Sequence, residues 1–235
     1  MNDMSEPVVA IVVAAGSGVR LGGAVVKALR DLAGQTLVAR SVASLASGGC
    51  SHAVVVIPQG LRDEFAAALA GAPIPVRLVY GGARRQDSVV NGLAVVESFA
   101  PGAQVVLVHD AARPLVPAPV TRSVIAAVRA GEDAVVPVIP VIDSVRALAA
   151  TGSRVVDRDT LRAVQTPQGF RRSSLVAAHE LIARRGLEVT DDAAACEQAG
   201  CRVALVEGSR DSLKITEPID LLIAADVLAR RSDHD

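Results

Sequence analysis

Short valine-rich runs alternate with longer segments of helical periodicity along most of this chain, and this alternation constrains the fold more than any other feature. The runs that we predict to be strands are 8–13, 53–57, 76–80, 104–109, 134–138 and 202–206. Apolar runs of this length, without regular polar positions, are typical of parallel strands buried on both faces. The pattern predicts an α/β fold: a Rossmann-like, mostly parallel sheet with helices on both faces, as a single domain over residues 1–235.

One segment departs from this alternation and predicts a β-hairpin. Residues 141–148 and 154–156 have strand character and flank Thr151-Gly152-Ser153, a sequence that favours a turn. A two-stranded hairpin is only marginally stable in water, so we expect this one to project from the domain and pack on a partner subunit, as a β-arm over about residues 139–165.

The composition excludes two classes of partner. Aromatic residues make up 2% of the chain and the formal net charge is −1, so neither a stacking platform nor a basic field for nucleic acid is present. No apolar stretch approaches the roughly 20 residues of a transmembrane helix, and residues 1–7 are too polar for a signal peptide. Cys50, Cys196 and Cys201 form no C-x-x-C pair, which favours reduced thiols and a cytoplasmic location.

The first predicted strand ends in a loop of small residues, AAGSGVR at residues 14–20. Glycine lets backbone N–H groups approach a phosphate closely, and Arg20 and Lys27 place positive charge beside it. The loop is neither a dinucleotide fingerprint, since Leu21 stands in place of the third glycine, nor a P-loop. On this loop alone, a nucleoside triphosphate site and a turn without a ligand are both open.

Lysine is rare in this chain. Of the 24 lysine and arginine residues, only Lys27 and Lys214 are lysine. Where charge or solubility alone matters, arginine suffices, whereas an ammonium group is a compact, mobile point charge that suits phosphate. We therefore expect both positions to require an ammonium group; chance retention of two surface lysines is the alternative.

Two further segments follow predicted strands and carry polar residues suited to a ligand. GGARRQDS at residues 81–88 opens a helix, whose free N–H groups can bind an anion. HDAARP at residues 109–114 follows the fourth strand, and ligands of open parallel sheets lie beyond the carboxyl ends of the strands. Asp110 is expected to bind Mg²⁺ or a hydroxyl group and Arg113 a phosphate, whereas His109 is expected to be a buried histidine satisfied within the fold.

A last group of candidates lies in the second half of the chain. Arg158 follows the predicted hairpin, Thr166 opens Thr-Pro-Gln, and Thr190 precedes two aspartates. Thr190 is either an N-cap or part of a site, and the two roles are compatible. Asp211, three residues before Lys214, either completes a metal site with Asp110 or is a solvated turn residue.

Six stretches, taken together and in order, resemble the 2-C-methyl-D-erythritol 4-phosphate cytidylyltransferase family. They are AAGSGVR with Lys27, GGARRQDSV, VHDAARP, DRDTLRAVQTPQGF, TDD and DSLKIT. Around the first lysine the family usually has Pro-Lys-Gln, where this chain has Val26-Lys27-Ala28. The resemblance implies a nucleotide-diphospho-sugar transferase-like fold and a homodimer interlocked by the β-arm. It also implies three ligands: CTP, the sugar-alcohol phosphate methylerythritol 4-phosphate, and Mg²⁺ or another divalent cation.

The resemblance further implies a role for each matched residue. The nucleotide would be bound by Ala14, Ala15, Gly16, Gly18, Lys27, Gly82, Arg85, Ser88, Asp110 and Ala111. The sugar phosphate would be positioned by Asp110, Arg113, Arg158, Thr166, Thr190 and Lys214, with Arg158 reaching the neighbouring subunit's site. The catalytic charges would be Arg20, Lys27, Arg158 and Lys214.

Three other functions are open at this point. Ribitol 5-phosphate cytidylyltransferases share most of the motifs but carry Asp-Ser-Val-Arg where this chain has Asp110-Ala111-Ala112-Arg113. A nucleotidyltransferase for a hexose phosphate or a molybdopterin cofactor would differ in nucleotide preference. A nucleotide-binding regulatory module without catalysis would not need Arg20, Lys27, Asp110 and Lys214 together.

Overall fold

The computed structural model describes residues 6–16 and 26–232, and within them strands and helices alternate. The strands are β1 (Val8–Val13), β2 (Asp31–Leu32), β3 (Gln35–Thr36), β4 (His52–Ile57), β5 (Val76–Tyr80), β6 (Val105–Asp110), β7 (Ala134–Pro140), β8 (Val145–Leu148), β9 (Ser153–Val156), β10 (Arg162–Val164), β11 (Gln168–Arg171) and β12 (Val203–Glu207). The helices are α1 (Leu37–Ser47), α2 (Arg62–Ala68), α3 (Arg85–Leu93), α4 (Val96–Phe99), α5 (Ala118–Arg129), α6 (Arg172–Arg185), α7 (Asp192–Gln198) and α8 (Pro218–Ser232). Across these residues, no helix combines the length and apolar character that crossing a bilayer requires.

The central sheet is mostly parallel, as the sequence predicts. Among the described residues, eight strands form it, in the order β10-β7-β11-β6-β1-β4-β5 with β12 beside β7. β1 pairs in parallel with β4 and β6, β4 with β5, and β12 with β7. β10 and β11 run antiparallel to their neighbours. These two strands were not predicted, because they are three and four residues long and contain no apolar run.

The core lies on both faces of this sheet, which confirms the prediction of a doubly covered sheet. Successive side chains of β1 point to opposite faces, so Ala10 and Ile11 enter different apolar clusters. One cluster contains residues of α1 and α5, such as Val42 and Val124. The other contains residues of α3 and α6, such as Val89. Because β1, β4, β5 and β6 are parallel, their carboxyl ends meet at one edge of the sheet.

The predicted hairpin is present. Val145–Leu148 pairs with Ser153–Val156 in an antiparallel ladder separate from the central sheet. The strands before and after it, Ala134–Pro140 and Arg162–Val164, pair with each other in the central sheet. Leu148 on the hairpin is 89% exposed, so this ladder has an apolar surface that the described chain leaves uncovered.

Candidate active site

A cavity of about 610 Å³ lies at the carboxyl ends of β1, β5 and β6. Ten of the residues predicted at the site line it: Ala14, Ala15, Gly16, Lys27, Gly82, Arg85, Ser88, Asp110, Ala111 and Lys214. Arg84 also lines it, although the sequence reasoning assigned it no role. Gly18 and Arg20 lie outside the described residues.

The loop after β1 and the loop that opens α3 approach each other closely because Gly81 has no side chain, and Gly82 allows the second loop to fold onto its own helix. A Cβ on Gly81 would come within 2.6 Å of the Ala15 Cβ, and one on Gly82 within 2.4 Å of the Asp87 Cβ. Neither gap admits a side chain. The Ser88 hydroxyl accepts a hydrogen bond from the Gly82 N–H at 3.1 Å, so it also holds the second loop in place. The small residues therefore leave two backbone loops side by side at the wall of the cavity.

Asp110 is the centre of the charge arrangement in the cavity. Its Oδ2 lies 2.8 Å from the Lys214 Nζ, and its Oδ1 lies 3.7 Å from the Arg85 Nε. Burial on its own would raise the pKa of Asp110, but the Lys214 ammonium and the Arg85 guanidinium outweigh it and lower the pKa to about 2. Asp110 is therefore ionised at neutral pH and holds two cations that face the cavity.

The two lysines of the chain border the same cavity. The Lys27 Nζ donates a hydrogen bond to the Ile215 carbonyl oxygen at 3.0 Å, and Ile215 directly follows Lys214 in the sequence. The fold thus brings both ammonium groups, from opposite ends of the chain, to one site. This arrangement is the one expected if both positions serve a phosphate-rich ligand.

A buried histidine lies beneath Asp110, as predicted. His109 is fully buried, and its Nε2 lies 3.1 Å from the Arg113 carbonyl oxygen, which can only accept, so Nε2 carries the proton. Its Nδ1 then accepts from the Thr166 hydroxyl at 3.0 Å, and the same hydroxyl accepts from the Asp110 N–H at 3.1 Å. Thr166, which the resemblance assigns to the sugar phosphate, is buried, and its hydroxyl supports the Asp110 backbone.

This histidine predicts an acid-sensitive stability. Burial lowers the pKa of His109 from 6.5 to about 4, so the unfolded chain takes up the proton first as pH falls. The contribution of neutral His109 to the free energy of unfolding is complete above pH 6.5 and decreases as pH falls towards the folded-state pKa. The expected decrease is about 2 kcal/mol between pH 7.5 and pH 5. Urea unfolding at these two pH values should show that decrease in the wild type and a smaller one in His109→Gln. Equal decreases in the two proteins would contradict the assignment.

Four other predicted residues lie outside the lining of this cavity in the described structure. The Arg113 guanidinium donates to the Ser212 carbonyl oxygen at 2.7 Å. Arg158 lies after the hairpin and donates to the Ile142 carbonyl oxygen. Thr190 is exposed and is not the cap of α7, since the Asp191 carboxylate accepts from the Ala194 N–H at 2.9 Å. The fourth residue is Asp211, the candidate metal ligand that the sequence analysis pairs with Asp110.

The cavity suits a divalent cation that takes some ligands from the protein and the others from a bound substrate. No cluster of three His, Cys, Asp or Glu side chains occurs within the described ranges. Asp110 presents a carboxylate to the cavity, whereas the Asp211 carboxylate is bound to Arg231 at 2.8 Å. The expected Asp110–Asp211 pair is therefore not assembled here. One carboxylate suits Mg²⁺ that arrives with a triphosphate, because Mg²⁺ keeps several waters and takes most other ligands from phosphates.

Sequence reasoning missed the residue that holds Arg85. Asp192, at the start of α7, is buried, and its Oδ2 lies 2.6 Å from the Arg85 Nη1. In the sequence it is one of two aspartates after Thr190, a pattern that a helix start explains equally well. Only the tertiary structure shows that Asp191 caps α7 and that Asp192 pairs with Arg85 on α3 and His179 on α6.

The parallel sheet, the paired backbone loops and a cavity lined by Lys27, Arg85, Lys214 and Asp110 define an α/β nucleotidyltransferase. The family model for 2-C-methyl-D-erythritol 4-phosphate cytidylyltransferase matches residues 8–230. The chain belongs to this family.

Relatives with this name align along nearly the whole chain. The protein of that name from Streptomyces avermitilis is 44% identical over 254 residues, covering 100% of this chain and 99% of its own. The one from Saccharopolyspora erythraea is 47% identical, covering 94% and 99%. Among solved structures, the enzyme from Thermus thermophilus is 36% identical with a TM-score of 0.76, covering 94% of this chain and 98% of its own. The 4-diphosphocytidyl-2C-methyl-D-erythritol synthase from Anaerococcus prevotii has a TM-score of 0.82 at 25% identity, covering 95% and 96%.

Proposed function

We propose that this protein transfers CMP from CTP to 2-C-methyl-D-erythritol 4-phosphate in the non-mevalonate isoprenoid pathway. The products are 4-diphosphocytidyl-2-C-methyl-D-erythritol and pyrophosphate. The observation that carries the proposal is the cavity that Lys27, Arg85, Lys214 and Asp110 line together beside two glycine-containing loops. Family membership names the substrates, and the cavity has the charge that two phosphorylated substrates require.

The proposed chemistry needs positioning more than proton transfer. An oxygen of the acceptor's phosphate monoester attacks the α-phosphorus of CTP, a new P–O bond forms, and the bond to pyrophosphate breaks. This oxygen is already ionised at neutral pH, so no general base is required. The barrier lies in bringing two anions together, and cations held in place before the reaction lower it.

Each cation has a proposed part in this step. Lys27 neutralises the nucleotide phosphates, Arg85 binds the nucleotide, and Lys214, held by Asp110, binds the acceptor phosphate. A divalent cation supplies further charge neutralisation when bound, and Asp110 is the carboxylate that would hold it. Arg20 is proposed to act with Lys27 on the triphosphate.

The acceptor side of the site is proposed to be completed by a second subunit. Arg158 lies at the base of the hairpin, away from the cavity of its own chain. The exposed apolar residues Leu148 and Val155 suit the hairpin to packing on another copy, which would carry Arg158 to the neighbouring cavity. Arg113, Thr166 and Thr190 are proposed to act on the acceptor side directly or through Asp110. We also propose a cytoplasmic location, supported by three cysteines that form no disulfide.

Pyrophosphate release tests the proposed function. The assay compares 2-C-methyl-D-erythritol 4-phosphate with ribitol 5-phosphate, each with CTP and Mg²⁺, and uses the Lys27→Ala protein as a control for contaminating activity. We expect release with the first acceptor, because small Ala111 and Ala112 line the cavity where ribitol 5-phosphate enzymes carry Ser-Val. Release with ribitol 5-phosphate alone would show that the acceptor substrate is ribitol 5-phosphate. CTP binding without release from either would favour a non-catalytic nucleotide-binding module.

A further inference from the structure

Asp192 forms an ion pair behind the cavity wall with Arg85. Its side chain is 1% exposed and does not line the cavity. The Oδ2 atom accepts from the Arg85 Nη1 at 2.6 Å, and the Oδ1 atom accepts from the His179 Nε2 at 3.0 Å. Both carboxylate oxygens thus have a partner, one on α3 and one on α6.

The Arg85 guanidinium is held on two sides by this arrangement. Its Nη1 is bound by Asp192 and its Nε faces Asp110 at 3.7 Å, while 30% of the side chain remains exposed at the cavity. Burial by itself would raise the pKa of Asp192, but the hydrogen bond from His179 and the charge of Arg85 lower it, so the carboxylate stays ionised. The Arg85 side chain therefore reaches the cavity while its guanidinium is held by the ionised Asp192 carboxylate.

The Asp192 carboxylate does not cap α7. The cap of this helix is Asp191, which accepts from the Ala194 N–H. Burying a carboxylate without a partner has a large desolvation free energy, and the contacts to Arg85 and His179 offset it for Asp192. The geometry assigns the Asp192 oxygens to the guanidinium and the imidazole rather than to the backbone of their own helix.

We propose that Asp192, supported by His179, is a positioning residue that holds the Arg85 guanidinium in the orientation in which it binds the nucleotide. The nucleotide part of this statement rests on the proposed function; the ordering of Arg85 does not. A guanidinium already ordered in the free enzyme loses less conformational freedom when the ligand binds. Losing Asp192 therefore weakens nucleotide binding without changing the chemical step.

The test measures Arg85 itself and nucleotide affinity in the same set of proteins. The set is the wild type, Asp192→Asn, Arg85→Met, the double variant Arg85→Met/Asp192→Leu, and Asp133→Asn as a matched control. Asp133 pairs with Arg171 at 3.1 Å, outside the cavity lining. The double variant replaces both charges of the ion pair by apolar groups, so it keeps the experiment decisive if Asp192→Asn fails to fold.

The first readout needs no nucleotide. ¹⁵N relaxation of the Arg85 Nε–H group should show an ordered side chain in the wild type and Asp133→Asn, and a mobile one in Asp192→Asn. The second readout is steady-state kinetics. We expect KM for CTP to rise about tenfold or more in Asp192→Asn with kcat nearly unchanged, whereas partial unfolding would lower apparent kcat and leave KM unaltered. Arg85→Met and the double variant should have the same KM, because Asp192 acts only through Arg85.

The outcomes separate the two proposals. An ordered Arg85 in Asp192→Asn, or a double variant with a KM well above that of Arg85→Met, overturns the positioning role. If wild-type protein does not bind CTP while Arg85 loses its order in Asp192→Asn, the positioning role stands and the proposed function fails. Wild-type turnover with equal KM in the wild type and Asp192→Asn leaves the function intact and overturns the inference.

Discussion

Replacing Lys27 with alanine is expected to lower kcat by about 100-fold or more at saturating CTP and Mg²⁺, the scale for losing one preorganised stabilising group. The Lys27 ammonium borders the cavity and is anchored to the Ile215 carbonyl oxygen, so its position is set before substrate arrives. Its charge offsets the repulsion between the triphosphate and the acceptor phosphate, which grows as the two approach. Initial rates of pyrophosphate release, with both substrates varied, measure the effect.

Two variants sharpen this test. Lys27→Arg keeps the charge but replaces the point charge by a planar fork, and we expect it to recover only part of the lost rate. Arg122→Ala removes an exposed cation that contacts the Ser47 carbonyl oxygen outside the cavity, and its kinetics should match the wild type. A Lys27→Ala enzyme with wild-type kcat at saturating CTP would remove Lys27 from the catalytic charges.

Replacing Lys214 with methionine is expected to lower kcat/KM for the acceptor by about 100-fold, within the range for truncating one partner of a hydrogen-bonded charge pair. The Lys214 Nζ lies 2.8 Å from the Asp110 Oδ2, and Arg85 is a weaker neighbour of the same carboxylate at 3.7 Å. Without Lys214, the acceptor phosphate loses its cation and meets the carboxylate of Asp110 instead. KM for the acceptor should rise and kcat should fall together.

A double-mutant cycle with Asp110→Asn provides the control for this second prediction. Because Lys214 and Asp110 act as a pair, Asp110→Asn/Lys214→Met should be less impaired than the sum of the two single effects. Additive effects would show that the pair does not act as a unit. Wild-type KM and kcat in Lys214→Met would show that the acceptor binds elsewhere.

Much of the scaffold follows from local sequence. The run Val8–Val13 has no polar position, so only a strand covered on both faces can bury it, and the structure places β1 there with both faces covered. The Thr36 hydroxyl, a typical helix cap, accepts a hydrogen bond from the Ala39 N–H at the start of α1. Gly81 and Gly82 mark a close approach of backbone, which the packing against Ala15 and Asp87 accounts for. Each of these features depends on neighbours along the chain or on simple burial.

The sequence by itself determined the parallel α/β scaffold, the edge of the sheet at which the cavity lies, and most of the residues that line the cavity. The tertiary structure alone decided how those residues meet. Arg85 and Asp192 are 107 positions apart, and no local pattern distinguishes a buried ion partner from a helix-start aspartate. The hydrogen bonds of Thr166 to His109 and Asp110, 57 and 56 positions away, were likewise set by the packing. The physical reason is that burial and ion pairing depend on which elements pack together, and that packing is set by contacts between segments distant along the chain.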